Sequence, residues 1–351
     1  MADSPMPFAL RFLAGPVSGI YRRIIEARNA QFDAGQGVVE LDRPVISVGN
    51  LSVGGTGKTP AVRAIARTLL ESGHRPVIAM RGYGKGSGES DEAEEYRLEL
   101  PDVPVVAQAD RLSGLLHHFA TPRGESTDCV VLDDGFQHRR IARTADIVLL
   151  DATRDPFKDR LLPRGWLREP VSSLKRASFA IITHAERAQP TDVRAMQQAV
   201  REINSGIGVA VCRHAWMALR VHDREGEREE PVSWLKGKAA LGVCGIGNPQ
   251  AFLSSVREHT GSAPAEFIRP DHDPFDRSTI RKLLSVAAVK SGVIVTTGKD
   301  WVKLRRVRSD AWPCPVAVPR LELRFDVGWE DLKRHVLDAG GSGGDDESSE
   351  E

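Results

Sequence analysis

A parallel α/β sheet covered by helices, joined to a second and smaller α/β domain, is the fold class that three features of this 351-residue chain predict. An apolar run at residues 45–48 enters a glycine-rich turn ending in Gly57-Lys58-Thr59, and an amphipathic stretch at 60–70 follows. Short β-branched runs then recur at 76–80, 103–107, 129–132, 147–150 and 179–183, separated by helix-compatible stretches. Such alternation implies right-handed crossovers and a sheet buried on both faces. The pattern breaks at the charged stretch 220–231 and resumes in shorter form, which marks the second domain. The expected organisation is an N-terminal segment at 1–30, a main domain at 31–219, a smaller domain with its linker at 220–338, and a tail at 339–351.

In the N-terminal segment, Phe8, Leu10, Phe12, Leu13, Val17, Ile20, Tyr21, Ile24 and Ile25 recur at roughly helical spacing, interrupted at Gly15-Pro16. Arg11, Arg22, Arg23 and Arg28 lie between them. Such a segment can lie in a membrane interface with its arginines on phosphate head groups. Its residues alone favour an ordinary helix packed on the domain's own core.

The run from strand to helix through Ser52, Val53, Gly54, Gly55, Thr56, Gly57, Lys58 and Thr59 reads as a P-loop, and makes the sheet P-loop NTPase-like. Successive backbone N–H groups and the positive helix end cradle an anion; the lysine reaches the terminal phosphates and the threonine hydroxyl binds Mg²⁺. Ser52 stands where the strict G-x-x-x-x-G-K-[ST] pattern has glycine, while Gly54, Gly55 and Gly57 still permit close backbone approach.

Ligands on such sheets bind at the carboxyl ends of the strands, so the residues after each run carry the chemistry. After 76–80 come Arg81-Gly82-Tyr83-Gly84-Lys85-Gly86 and then Ser90-Asp91-Glu92. Arg81 and Lys85 are placed to meet phosphates and Asp91 to act as a base, although by residue type Asp91 and Glu92 read as a solvated acidic loop. After 129–132 come Asp133-Asp134-Gly135-Phe136-Gln137-His138, the Walker-B arrangement. There one carboxylate holds Mg²⁺ and the other orients a hydroxyl or water. Residues 162–170 carry Arg164 and Arg168 on a Pro/Gly-shaped loop. Two readings stand open there: arginines that bind phosphate, or surface arginines with Trp166 as a core anchor.

In the second domain, strands are expected at 239–246, 267–268 and 293–297, and helices at 249–259 and 278–290. Asp271-His272-Asp273 follows the second of these strands. A histidine between acids can orient a carboxylate or carry a proton, though Asp-His-Asp also makes an ordinary polar turn. Gly242, Gly245 and Gly247 lack the dinucleotide-binding spacing.

Composition narrows the partners. Apolar residues make up 41% and charged residues 27%, ordinary for a globular protein. Basic and acidic residues balance at 48 each, but the last twelve residues hold five acids and no base. The rest therefore has 48 basic against 43 acidic residues, a mild excess suited to an anionic substrate or membrane surface and too weak to argue for nucleic acid. The tail is too polar to bury anything and is expected to be disordered. Four scattered cysteines imply neither a disulfide framework nor a zinc site.

Taken in order, these segments resemble the tetraacyldisaccharide 4'-kinase family of the lipid A pathway. The resemblance rests on Val48 to Pro60, Arg81-Gly-Tyr-Gly84, Asp91-Glu92, Asp133 to Arg139, Leu162 to Glu169, Gly245-Ile-Gly-Asn-Pro249, Asp271 to Phe275 and Thr297-Gly-Lys-Asp300. It implies transfer of the ATP γ-phosphate to the 4'-hydroxyl of an acylated glucosamine disaccharide 1-phosphate. It also implies a two-domain enzyme docked through its N-terminal segment on the cytoplasmic face of the inner membrane of a Gram-negative bacterium, which reverses the packed-helix reading of that segment. By the same resemblance Asp91, paired with His272, activates the sugar hydroxyl, Lys58 and Asp134 serve catalysis, and Thr59, Asp133, Asp134 and Glu92 surround Mg²⁺. Two departures stand out: Ser90 replaces the usual glycine before Asp-Glu, and Gly298 the usual glutamate before Lys-Asp. Two rival classes share the P-loop or the N-terminal segment: a partition-type ATPase or GTPase switch, and a catalytically inactive membrane-binding module.

Overall fold

The computed structural model describes residues 14–82, 91–271, 273–290 and 292–341. The N-terminal residues 1–13, Tyr83 to Ser90 with Gly84 and Lys85, His272, and the tail from residue 342 lie outside the described residues.

In chain order the elements begin with helix α1 (Ala14–Asp33), strand β1 (Val45–Asn50), α2 (Lys58–Glu71), β2 (Pro76–Met80), α3 (Asp91–Glu99) and β3 (Val105–Ala107). They continue with α4 (Arg111–Phe119), the single turn α5 (Pro122–Glu125), β4 (Cys129–Asp133), β5 (Ala145–Asp151), β6 (Phe179–Thr183), α6 (Pro190–Ile203) and β7 (Gly208–Asp223). There follow β8 (Gly226–Glu230), β9 (Ala240–Cys244), α7 (Pro249–Thr260), β10 (Ala265–Ile268), α8 (Arg277–Lys290), β11 (Val293–Thr296), α9 (Gly298–Leu304), β12 (Val316–Val327) and α10 (Trp329–Gly340). Packing divides the chain into two compact units, Met1–His214 with Leu323–Glu351, and Ala215–Glu322.

The first unit carries a parallel sheet in the order β7-β6-β5-β1-β4-β2-β3. Alternate side chains feed opposite faces, as the two-residue period of a strand dictates. Ile46, Val48, Ile78, Met80 and Val131 pack with Val62, Ile65 and Leu69 of α2 and with Leu332 and Val336 of α10. Val45, Val77, Ala79, Val130 and Leu132 meet Leu112 and Leu115 of α4. Val148, Leu150, Ala180 and Ile182 meet Val193, Met196 and Val200 of α6. Burial of such side chains stabilises by roughly 1.5–3 kcal/mol each, so the strand ends that bear polar groups sit on a stiff platform. In the β1–β4 register Val48 lies opposite Asp133, which sets the Walker-B carboxylate beside the strand end that launches the P-loop.

The second unit has parallel strands in the order β10-β9-β11-β12, with Phe252, Leu253 and Val256 of α7 in one core and Leu283 and Ala287 of α8 in another.

Three local expectations are corrected. Asp91 and Glu92 open helix α3; they are not a loop, and three acids in its first turn match the positive helix end. Residues 220–231, read as a linker, mostly form an antiparallel hairpin of β7 and β8 with Leu219 opposite Glu230 and Asp223 opposite Gly226. Its charges pair along the strands, Arg228 with Asp223 and Glu230. Ala339 and Gly340, expected in the tail, are buried in the last turn of α10.

Candidate active site

Helix α2 opens at Lys58 directly after Gly57, and no side chain caps its first turn. Its leading N–H groups, four in any α-helix, therefore have no partner within the helix, and with the helix dipole they form an anion site. Gly57 adopts the left-handed region at φ 82°, and a Cβ there would lie 2.6 Å from the His214 Nε2 atom. Only glycine fits this corner.

Hydrogen bonds fix the loop on three sides. Asn50 Nδ2 at the end of β1 donates to the Thr56 hydroxyl at 2.9 Å, and the Thr183 hydroxyl at the end of β6 donates to the Thr56 carbonyl at 2.9 Å. The Val53 N–H donates to the Trp166 carbonyl at 2.8 Å, and Ser52 bridges to Leu167 in antiparallel fashion. The arginine loop is thereby attached to the start of the P-loop, with the Arg168 N–H on the Leu51 carbonyl at 2.7 Å.

Opposite α2, the Walker-B pair divides into two environments. Asp134 takes a left-handed backbone conformation at φ 51°, uncommon outside glycine and a recurrent feature of functional sites. Its carboxylate lies 3.5 Å from Lys58 Nζ and accepts from Arg168 Nη1 at 2.9 Å through either oxygen. Burial opposes its charge, yet Lys58 and Arg168 outweigh burial and hold its carboxyl below the usual carboxylate range. The Asp134 carbonyl accepts from Arg111 Nη1 at 3.1 Å. Arg168 also lies 3.4 Å from the Gln137 side-chain oxygen, and Gln137 Nε2 returns to the Asn50 carbonyl at 2.8 Å.

Asp133 is buried, and the Tyr96 hydroxyl donates to its Oδ2 at 3.1 Å. Burial chiefly, then the Glu92 and Asp134 carboxylates, push its carboxyl up to about 6 against the pull of Lys58. The Tyr96 hydroxyl also meets the Thr59 side chain. Thr59, Glu92, Asp133 and Tyr96 thus converge, while Asp133 Oδ1 is buried with no hydrogen-bond partner. A hydroxyl and two carboxylates form the hard oxygen donor set that suits Mg²⁺, and the buried Oδ1 of Asp133, without a hydrogen-bond partner, suits a cation. The residues present fit the ion.

The structure therefore brings together Lys58, Thr59, Glu92, Asp133, Asp134 and the loop Ser52 to Gly57. Asp91 stands half-buried at the start of α3 next to Glu92. Helix α3 is tied to α2 by Arg63, whose Nη1 lies 3.5 Å from Glu99 and 3.9 Å from Glu95. Of the two arginines left open by sequence, Arg168 is in the cluster and Arg164 is exposed away from it. Trp166 is half-buried, with Arg154 over its ring at 4.5 Å, rather than a core anchor. Sequence reasoning missed Tyr96 and Arg111. The signal for Tyr96 was its place four residues after Glu92, which puts both on one helix face once α3 is recognised.

In the second unit, Asp300 is fully buried; it accepts from the Gly245 N–H at 2.9 Å and from the Thr297 hydroxyl at 2.7 Å. Thr297 caps α9, so the Thr-Gly-Lys-Asp motif is a structural clasp on the Gly245 turn. Lys299 pairs with Asp271 at 2.8 Å.

Comparison with known proteins identifies the family. The family model described as tetraacyldisaccharide-1-P 4'-kinase matches residues 10–339. A tetraacyldisaccharide 4'-kinase of Anaeromyxobacter sp. (strain K) is 33% identical over 338 residues, covering 91% of this chain and 88% of the relative. One of Parabacteroides distasonis is 34% identical over 325 residues, covering 85% of each chain. Among solved structures, the "apo" form of LpxK from Aquifex aeolicus in complex with ATP aligns at a TM-score of 0.71 and 29% identity, over 94% of this chain and 99% of that one. These matches support the kinase reading over a partition-type switch.

Proposed function

The chain belongs to the tetraacyldisaccharide-1-P 4'-kinase family, and from that premise we propose how its residues perform the reaction. It is an ATP-dependent kinase of lipid A biosynthesis that transfers the γ-phosphoryl group to the 4'-hydroxyl of tetraacyldisaccharide 1-phosphate. The observation that carries the residue assignments is the convergence of Lys58 and Arg168 on Asp134 beside the uncapped start of α2.

Phosphoryl transfer demands mainly positioning and charge neutralisation. The N–H groups of Gly54 to Thr59 cradle the ATP phosphates. Lys58 and Arg168 turn from Asp134 onto the terminal phosphates as these enter, so Asp134 keeps both cations aimed. Thr59, Asp133 and Glu92 would hold Mg²⁺, with Asp134 beside them, and the ion supplies neutralisation of phosphate charge. Asp91 accepts the proton of the 4'-hydroxyl, and His272 is its partner; both roles rest on the family resemblance. The exposed apolar face of α1 docks the enzyme on the cytoplasmic face of a Gram-negative inner membrane, where the acylated acceptor resides.

The reaction is tested by incubating the protein with γ-labelled ATP, Mg²⁺ and the disaccharide 1-phosphate in detergent. Label should appear on the lipid; hydrolysis without labelled lipid would refute the assignment. Asp91→Ala and His272→Ala should each lower kcat by at least ~10²-fold with little change in ATP affinity. Near-wild-type turnover in either would remove the pair from the mechanism.

A further inference from the structure

Helix α1 does more than present an apolar face to solvent. The adjoining side of the helix grips the two loops that carry the Arg168–Asp134 pair. On the arginine loop, the Tyr21 hydroxyl donates to the Arg168 carbonyl at 2.9 Å, and the Ser18 hydroxyl to the Leu161 carbonyl at 3.1 Å. The next residue, Glu169, has a fully buried side chain. Asn29 Nδ2 donates to its carboxylate at 3.0 Å and Arg28 Nη2 at 3.4 Å, while Arg176 and Ser173 complete its shell at 2.9 Å each. On the Walker-B loop, Arg139 donates to the Asn29 carbonyl at 3.1 Å and to Asp33 at 2.7 Å. Asn29 thus touches both loops, one through its side chain and one through its backbone.

A buried carboxylate with four polar partners is costly unless each stays in place, so Glu169 locks α1 in one seating. The Arg168 backbone follows that seating through Tyr21, and its guanidinium spans to Asp134 at 2.9 Å. We propose that α1 is a positioning element for phosphoryl transfer: Tyr21 and Asn29 set the Arg168–Asp134 pair, so that the seating of this helix governs turnover. The inference rests on the reading above that Arg168 and Asp134 serve the reaction. It adds that a helix whose other face is available to a bilayer shares one rigid body of contacts with that pair.

A double-mutant cycle on kcat tests it, since only residues that act through Arg168 lose their effect when Arg168 is gone. Tyr21→Phe and Asn29→Ala should each lower kcat by ~10-fold, with KM for ATP and for the disaccharide 1-phosphate within ~2-fold of wild type. In an Arg168→Ala background, neither should lower kcat further. Glu26→Ala, an exposed position on the same helix that takes no part in the grip, should leave kcat unchanged. Full additivity, or a wild-type kcat in both Tyr21→Phe and Asn29→Ala, would overturn the inference while leaving the catalytic reading intact. Wild-type kcat in Arg168→Ala alone would instead overturn that reading and the inference with it.

Discussion

Tyr96 shows how much of the site rests on one hydroxyl. It donates to Asp133 and meets Thr59, two of the groups assigned to Mg²⁺, from a fully buried position on α3. Supporting contacts of this kind orient metal ligands, and their loss commonly costs 10–100-fold in affinity or activity. Tyr96→Phe should therefore raise the Mg²⁺ concentration for half-maximal turnover by ~10-fold with the fold intact; an unchanged Mg²⁺ requirement would deny it the role. His214 supports the P-loop differently. Its ring stacks on His184 at 4.2 Å and abuts Gly57, with both ring nitrogens buried and unpartnered. Burial first, then His184 and Arg187, push its pKa down to about 3. A lowered histidine pKa gives stability that is whole above the unfolded value near 6.5 and lost as pH falls towards 3. At pH 5 that loss is on the order of 2 kcal/mol. His214→Phe should flatten the fall in unfolding free energy between pH 7.5 and 5.0 by about this amount in urea titrations. Parallel pH profiles for the two proteins would show that His214 does not carry the linkage. The sequence makes Lys58, Thr59, Asp133 and Asp134 legible, because backbone cradle and paired acids come in fixed local order. It left Arg168 undecided and Tyr96 unread, because each gains its role from a partner over thirty residues away.

Elements follow the same division. The step from β1 through the glycine turn to α2 is local chemistry, and the structure reproduces it nearly residue for residue. The acidic start of α3 was misread since Asp-Glu-rich stretches suit loops as well as first helical turns, and the choice depends on Ala93 and Tyr96 packing into the core. The β7–β8 hairpin reads as a linker because β8 is almost wholly charged and only Leu219 and Val221 of the β7 arm alternate into the core, too short an apolar pattern to stand out. Close packing between elements also explains Gly49. A Cβ there would sit 2.6 Å from both the backbone nitrogen and the Cβ of Phe136, the turn that follows Asp133-Asp134. Backbone cannot yield as a side-chain tip would, so Gly49→Ala forces the β1 end and the Walker-B turn apart. Overpacking of this kind costs about 1–3 kcal/mol. Gly49→Ala should lose that much unfolding free energy and most of its turnover, whereas Gly55→Ala, with open space around its Cβ, should keep its stability. An unfolding midpoint equal to wild type in Gly49→Ala would mean that this approach of strand and turn is not constrained.

At the scale of the whole molecule the question is how the active site meets an acceptor that carries acyl chains. No helix among the described residues is long and apolar enough to cross a membrane, and the docking proposed above is through a helix face. Val17, Ile20 and Ile24 lie three and four residues apart on α1, and Ile20 and Ile24 keep 61% and 60% of their surface exposed. That spacing makes one stripe, with exposed Arg22 and Arg23 beside it. Transfer of an exposed isoleucine into an acyl environment contributes on the order of 1.5–3 kcal/mol, and arginines near anionic head groups add roughly 1 kcal/mol each. Both isoleucines are mostly exposed, so Ile20→Asp with Ile24→Asp should leave folding and ATP binding unchanged. Each aspartate removes an apolar anchor and adds a charge repelled by anionic lipid, which should weaken sedimentation with anionic vesicles by at least ~10-fold, and the pair by ~100-fold. Turnover should fall on acceptor embedded in vesicles and persist on acceptor dispersed in detergent micelles, where no planar surface need be met. Vesicle binding by the double variant equal to that of wild type would show that this face of α1 is not what holds the enzyme to its substrate's membrane.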